Sequence, residues 1–547
     1  MSPKVIAGRY RIEEKLGSTA MGEVYKVTDL TDGSVLALKL SAKGSAQDEI
    51  VRFKREFYTL SRLRHLNIVE VKDFGVLGKQ ETSHASPAES RCYFSMEYVD
   101  GEDILRFFDK KHPFGEKTHQ LLYSVLSQLC HAVRYIHSNG LVHCDLKPGN
   151  ILIARKTPKS QGESQDDPES LAVKLLDFGL ASEFSSSTAS TVAGTLGYIA
   201  PEVLRSGKAD VRSDLYSLGV IFWEVLARRR AFPGDDPISI IRDNLSKSLP
   251  PPSAYDSTTP EELERIVLRL ISKEPRDRYS GASGILEELS SIAPQVVAAK
   301  PPAEQLSLLT SNLVGRDEVL SAFQSLMGKA KEGEGQVMVL KGERGIGKSR
   351  LLRELRFEAQ LSGSTVLSGS CCESEKTPFA PWSQILSQLQ RADRRDTPHF
   401  ASQSSGPQGQ LEARKLQVFE RVASRIAGYS RKGLNALVIL VDDLDLADPN
   451  GLDFFAYLSV SLQKSKVLLV TFCEKSASLQ DSFNRLQELP FATLVELRGL
   501  TPEETHLIVS NMLGGELPQP HLWEWVHQQA GGNPLLTEGT ISSLVRD

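Results

Sequence analysis

Two stretches of this 547-residue chain place glycines and a lysine at spacings suited to binding phosphate. The first begins with LGSTAMGEV, Leu16 to Val24, a turn between two strand-like segments in which Gly17 and Gly22 let backbone amides approach phosphate oxygens. A plain glycine hairpin would read the same way. The next strand separates the two readings: in VLALKL, Lys39 stands mid-strand among apolar neighbours, a costly place for an ammonium without an anionic partner. Glu56, in the helical segment RFKREFYTLSRL, is such a partner, and the pair would hold Lys39 against the α- and β-phosphates of ATP. The second stretch, GERGIGKS from Gly342 to Ser349, has the spacing G-x-x-x-x-G-K-[ST], with an apolar strand before it and the helical SRLLRELRFEAQ after it. There Gly342, Gly345 and Gly347 let the backbone wrap phosphates at a helix N-terminus, Lys348 reaches the β- and γ-phosphates, and Ser349 ligates Mg²⁺. Further on, LVILVDDLDLADP ends an apolar strand in Asp442, to hold the metal shell, and Asp443, to polarise water.

The elements that must position these groups fall into separate units, because a chain of this length exceeds one hydrophobic core. Strand-like alternation occupies roughly residues 9 to 100 and helical periodicity dominates from Thr118 onward, which predicts a small β-rich lobe, 9–98, joined to a helical lobe, 99–292. The Ala- and Pro-rich stretch APQVVAAKPPAEQ opens a linker placed at 293–310. Beyond it, strands at Val337 to Leu340, Leu437 to Val441 and Val467 to Phe472 alternate with helices, the pattern of a mostly parallel α/β sheet over 311–500. LTPEE then reads as a capped helix start, with Thr501 as N-cap, Pro502 at the first helical position and Glu504 two residues later, opening a helical subdomain over 501–547. The polar stretches Gly78 to Arg91, Ala154 to Ala172 and Asp393 to Gln410 read as solvated loops.

The stretch VHCDLKPGN, with KLLDFGLA around Asp177 after it, resembles the eukaryotic-type serine/threonine protein kinases over residues 9–292. The resemblance implies a two-lobed kinase fold and gives Asp145 the role of accepting the substrate hydroxyl proton, Asn150 and Asp177 that of binding Mg²⁺, and Lys147 and Thr195 that of assisting transfer to serine or threonine. It also implies that Leu16, Gly17, Gly22, Val24, Ala37, Lys39 and Glu56 surround ATP, with Glu97 and Val99 at the adenine and Met96 as gatekeeper. Glu202 and Arg278 resemble the family's paired Glu and Arg, and Asp214 the aspartate that anchors the catalytic loop. Two positions depart from the family pattern. Thr19 replaces a glycine of the phosphate loop. Cys144 replaces the arginine that normally pairs with a phosphate on the activation segment, here SEFSSSTASTVAGT.

NLVGRDEVL, TPFAPW, DLADP and GGNPLL resemble the AAA-type STAND signalling ATPases, as fused in bacterial kinase-ATPase signalling proteins. That resemblance makes Asn533 and Pro534 candidate nucleotide contacts, with a plain helix-start turn as the other reading of the same residues. It also implies nucleotide-dependent self-association, and a chain continuing past Asp547 into further domains. Cys473 stands where relatives often carry an arginine sensor, so slow hydrolysis, or binding alone, is the expectation.

The fold class expected is therefore multidomain α+β and α/β: a two-lobed kinase fold, a P-loop NTPase domain and a small helical subdomain. A net charge of −5 spread over the chain leaves no basic stripe for nucleic acid, and no apolar run is long enough for a membrane span. Six cysteines without CxxC spacing predict reduced thiols rather than disulfides or zinc, and the start MSPKVIAGRY lacks a signal-peptide pattern, so a cytoplasmic protein is expected. The function expected is ATP- and Mg²⁺-dependent phosphorylation of proteins, with ATP in two sites. The alternative is a nucleotide-switched signalling scaffold whose kinase lobe mainly binds partners.

Overall fold

The computed structural model describes residues 5–19, 22–42, 47–77, 91–111, 114–155, 171–177, 196–234, 236–297, 313–371, 379–393, 408–431, 435–474, 490–513 and 521–546. Thr195, the activation segment 182–195, and most of the three polar loops lie outside them, as does Thr19's side chain.

The N-terminal lobe is an antiparallel sheet in the order β1-β2-β3-β4-β6-β5. Its strands are β1 (Val5–Ile6), β2 (Tyr10–Thr19), β3 (Gly22–Asp29), β4 (Val35–Ser41), β5 (Val71–Val76) and β6 (Cys92–Glu97). Helix α1 (Gln47–Arg62) lies against it. Phe53, Phe57 and Leu60 recur at helical spacing and are buried, packing on Phe74 and Phe94 of the sheet.

The second lobe is helical: α2 (Ile104–Asp109), α3 (Glu116–Ser138), α4 (Pro201–Ser206), α5 (Val211–Ala227), α6 (Pro237–Ser246), α7 (Glu261–Leu270) and α8 (Ala282–Ile292). A small sheet of β7 (Gly101–Asp103), β8 (Ile151–Arg155) and β9 (Leu171–Leu175) meets the first lobe where the Val69 amide donates to Leu175 O at 3.0 Å. Almost all of α5 is buried, and Asp210 starts it with a reciprocal cap shared with Ser213. The stretch expected as linker begins instead with one helical turn, α9 (Pro294–Val297), packed against α8 and α3. A proline suits the first turn, where its missing N–H has no partner to lose.

The third unit is a parallel sheet in the order β11-β12-β13-β10-β14, formed by β10 (Gln336–Lys341), β11 (Thr365–Ser370), β12 (Leu437–Asp442), β13 (Val467–Cys473) and β14 (Ala492–Glu496). Helices α10 (Asp317–Glu332), α11 (Lys348–Leu361), α12 (Ala380–Asp393), α13 (Gln408–Ser430) and α14 (Pro449–Ser461) accompany it. Val337 and Val339 enter the core on one face while Met338 and Leu340 enter the core on the other, so β10 reads as an unbroken apolar run. Helices α15 (Pro502–Leu513), α16 (Leu522–Ala530) and α17 (Pro534–Arg546) gather around Leu500, Val509, Val526 and Ile541. The expected cap is present: the Glu504 amide donates to Thr501 Oγ1 at 3.2 Å and the Thr501 amide to Glu504 Oε2 at 2.7 Å. Among the described residues no helix is long and apolar enough to cross a membrane.

Candidate active site

The cleft between the first two lobes is built around one buried ammonium. Lys39 on β4 is 3% exposed, and its Nζ donates to Glu56 Oε1 at 2.5 Å and to Asp177 Oδ1 at 2.9 Å. Burial alone would lower its pKa, but the two carboxylates more than offset that and keep Lys39 charged. Burial likewise opposes ionisation of Asp177, yet the Lys39 charge holds its carboxyl below the ordinary carboxylate range. For Glu56 burial is the largest influence, reinforced by the Asp177 charge, and together they push its pKa well upward against the pull of Lys39. Its Oε2 is buried without a hydrogen bond among the described residues.

The sheet register brings the expected nucleotide-facing residues together. Gly17 pairs with Val24, Val24 with Lys39, and Ala37 with Met96, one residue before Glu97. Gly22, at φ +152°, could not carry a side chain: a Cβ there would overlap the Leu40 carbonyl oxygen. The turn that leads to Val99 is fixed from behind, since the Glu97 amide donates to Glu70 O at 2.9 Å and the Glu97 carboxylate takes Lys174 Nζ at 2.5 Å.

The loop that carries Asp145 is short and heavily bonded. Asp145 Oδ2 accepts from Lys147 Nζ at 2.7 Å and from Asn150 Nδ2 at 3.1 Å, and the same Asn150 amide bonds the Asp145 carbonyl at 2.8 Å. Cys144, immediately before, has a left-handed backbone with φ +63°. Buried Asp214 on α5 holds it there, accepting from the amides of His143 at 2.9 Å and Cys144 at 3.0 Å and from His137 Nε2 at 2.8 Å. His143 lies inside the motif, but its type and spacing alone assign it no role. Its Nδ1 accepts from the Asp145 amide and its Nε2 donates to Leu176 O, each at 3.3 Å, so it ties the loop to the strand leading into Asp177. Burial lowers the pKa of this imidazole, against the pull of Asp214, Asp145 and Asp177. Deeper in the lobe Arg278 grips Glu202 through two bonds of 2.8 Å.

A second phosphate-type loop joins β10 to α11. Gly345 and Gly347 take positive φ, and Lys348, the first residue of α11, turns its Nζ back to Gly342 O at 3.2 Å, with Ser349 next along the helix. Asp442 ends β12; burial and the neighbouring Asp443 charge raise its pKa to about 6, against the pull of Lys348. Asp443 is also raised, by burial first, and holds φ +49°. Asn533 stands at the start of α17 and against the phosphate loop. Its Oδ1 caps α17 through the amides of Leu535 at 3.0 Å and Leu536 at 3.3 Å, while its Nδ2 donates to Arg344 O in the loop at 2.9 Å. The Leu535 amide donates to Gly345 O at 3.2 Å, and Pro534 occupies the first position of α17. Arg316 is a site residue that sequence reasoning missed: it is buried and donates to Gly315 O and Ile346 O, bracing the loop from below. Its signal was the GR pair just ahead of α10. Cys473, placed by sequence at a sensor position, is buried in the core at the end of β13.

Residues 10–290 match the family model of the protein kinase domain. The chain belongs to the protein kinase family. Residues 312–470 match the AAA ATPase domain, so the kinase domain is followed by an ATPase domain. Among similar curated proteins, the serine/threonine-protein kinase PknB of Mycobacterium tuberculosis is 33% identical over 321 residues, covering 57% of this chain and 47% of that protein. The serine/threonine-protein kinase pkn3 of Myxococcus xanthus is 31% identical over 300 residues, covering 53% and 51%. A probable serine/threonine-protein kinase of Clostridium acetobutylicum is 30% identical over 293 residues, covering 53% and 40%. This kinase-family chain thus spans about half the length of the curated relatives it matches.

Proposed function

We propose that the chain phosphorylates serine or threonine hydroxyls of proteins with ATP, under the influence of a second nucleotide in the ATPase domain. The observation that carries this reading is the convergence of Lys39, paired with Glu56 and Asp177, on the loop that holds Asp145 with Lys147 and Asn150. The substrate oxygen forms a bond to the γ-phosphorus as the bond to the β,γ-bridging oxygen breaks; ADP leaves with that electron pair and the hydroxyl proton passes to the Asp145 carboxylate. Lys147 balances charge on the transferred group, and Lys39 fixes the α- and β-phosphates. Asn150 and Asp177 are hard oxygen donors suited to Mg²⁺, and Asp177 is kept ionised by Lys39, so these two would hold the metal, which neutralises triphosphate charge when bound. In the second site Ser349 and Asp442 would serve the same purpose, Lys348 the phosphates, and Asn533 the coupling of the helical subdomain to the loop. Thr195, outside the described residues, keeps its role by resemblance only.

The test is transfer of labelled phosphate from ATP and Mg²⁺ to the chain itself and to a basic acceptor protein, comparing wild type with Lys39→Met, Asp145→Ala and Lys348→Ala. Loss with Lys39→Met and Asp145→Ala is expected. A signal lost only with Lys348→Ala would overturn the kinase reading in favour of a nucleotide-switched scaffold. Sizing chromatography in ATP against ADP tests self-association.

A further inference from the structure

The P-loop helix α11 has two buried faces. Leu351, Leu355 and Ala359 enter the core of the ATPase sheet. Phe357, Gln360 and Leu361 lie on the opposite face at roughly 3.6 residues per turn, where a lone domain would be polar. Phe357 is instead part of the buried core of the kinase domain, its ring edge-on to Phe57 of α1 with centroids 5.1 Å apart. Gln360 reaches β5: its side-chain amide donates to Asp73 Oδ1, and its oxygen accepts from the Phe74 amide at 3.2 Å. From α1, Lys54 Nζ closes the end of α11 on Leu361 O at 2.8 Å, satisfying an orphan carbonyl and the negative end of the helix dipole.

We infer that Phe357 and Gln360 are positioning residues for phosphate transfer by the kinase domain, acting through α1 although they belong to the ATPase domain. Phe57 comes directly after Glu56, so the ring that meets Phe357 and the carboxylate that meets Lys39 move with the same turn of α1. Removing Phe357 leaves a hole under that turn, and α1 gains freedom to carry Glu56 away from Lys39. The start of α11 is the phosphate loop itself: Phe357 lies nine residues after Lys348, about 13 Å along a helix that moves as one rod. Arg350, beside Ser349, faces Glu538 of the helical subdomain at 3.7 Å. A shift at the second nucleotide site therefore reaches Glu56 without any contact between the two nucleotides.

The inference rests on the kinase reading and deepens it. The experiment uses the full chain and measures kcat and KM for ATP in phosphate transfer, together with nucleotide binding that depends on Lys348, monitored in a Lys39→Met background. Phe357→Ala should lower kcat on the order of 10-fold to 100-fold by misplacing the ion pair. Gln360→Ala should act in the same direction, Phe357→Leu should recover most of the loss, and Lys348-dependent binding should persist throughout. Values of kcat within about twofold of wild type in both alanine variants would overturn the inference. If Phe357→Ala loses nucleotide binding as well and Phe357→Leu does not restore it, the Ala variant is misfolded, and kcat of Gln360→Ala decides. A wild-type chain without Lys39-dependent transfer would sink the kinase reading, a result distinct from either of these.

Discussion

Replacing Asp214 by Asn tests how the catalytic loop is held. The substitution preserves shape but removes the charge and turns one oxygen into an NH₂ group. The native carboxylate accepts three bonds, from the amides of His143 and Cys144 and from His137 Nε2, between 2.8 and 3.0 Å. Bonds to an ionised acceptor are worth about 1.5–3 kcal/mol and neutral ones about 1, so losing charge assistance on the two backbone donors costs about 2 kcal/mol. The NH₂ must also face at least one N–H donor, at a further cost of about 1–3 kcal/mol. The left-handed Cys144 backbone, itself about 1–2 kcal/mol above the right-handed region, then relaxes and carries Asp145 with it. A total near 3–5 kcal/mol lowers the ratio of productive to relaxed loop by about 10²-fold or more, at tenfold per 1.4 kcal/mol. Initial-rate kinetics should show kcat reduced about 10²-fold or more, with KM for ATP moving far less, since Lys39 and Glu56 stand on other elements. A kcat within about twofold of wild type would refute the anchoring role.

Gly22→Ala places a Cβ against the Leu40 carbonyl at positive φ and should destabilise the lobe by more than about 1 kcal/mol and raise KM for ATP, whereas Gly17→Ala, with nothing within 4 Å of the added atom, should do little; thermal melts and ATP titrations compare the pair. Asp442 has a folded pKa of about 6 against 3.8 unfolded, so it favours folding only at low pH and loses that contribution as pH rises through 6. Asp442→Asn measured without Mg²⁺ should therefore raise stability at pH 7.5 by about 1–2 kcal/mol, a figure discounted for partial solvent screening, have little effect at pH 4, and abolish the stabilisation that Mg·ATP gives. Asn533→Ala removes both the α17 cap and the bond to Arg344 O; it should lower the melting point by an amount equivalent to about 1 kcal/mol and speed nucleotide release, read by stopped-flow fluorescence of a labelled nucleotide. Alanines at Ser185 to Thr191 should leave substantial phosphate transfer, because the thiol at Cys144 cannot pair with a phosphate dianion; a large loss of transfer would contradict this.

The chemistry was legible because it is local. Asp145, Lys147 and Asn150 lie within one loop, and Lys348 and Ser349 within another, so their spacing alone constrains their geometry. Strands β10, β12 and β13 were legible as apolar runs because both of their faces are buried. Strands β11 and β14 are the sheet's edges, only partly buried, and TVLSGS carries Ser and Gly where a central strand carries branched residues, so neither stood out. The turn at α9 was hidden by composition, since its helix begins on a proline inside a stretch that reads as linker. The least legible feature was the second buried face of α11. Phe357 and Leu361 in SRLLRELRFEAQL are only two apolar residues on a face otherwise made of charged and polar ones, and only the fold brings Phe357 to Phe57 across the two domains.

Two routes could control Asp145, and their energetics favour one. A phosphate on the activation segment acts through a cation beside the catalytic aspartate, with charge-assisted bonds worth about 1.5–3 kcal/mol each, and Cys144 offers none. The loop needs no such cation to keep its shape, because Asp214 and His143 already bind it from the lobe beneath. The ion pair of Lys39 and Glu56 is set differently: Glu56 rides on α1, so its alignment depends on how that helix is packed, against Phe74 and Phe94 of its own sheet and against α11. On one flank that packing is Phe357, a ring whose removal from a core typically costs about 3–5 kcal/mol. The element that supplies it begins at Lys348, where Asn533 and Arg350 connect the phosphate loop and its helix to the helical subdomain. On the inference drawn above, a nucleotide change that separates Asn533 from the loop would be felt at Glu56 through α11 and Phe357.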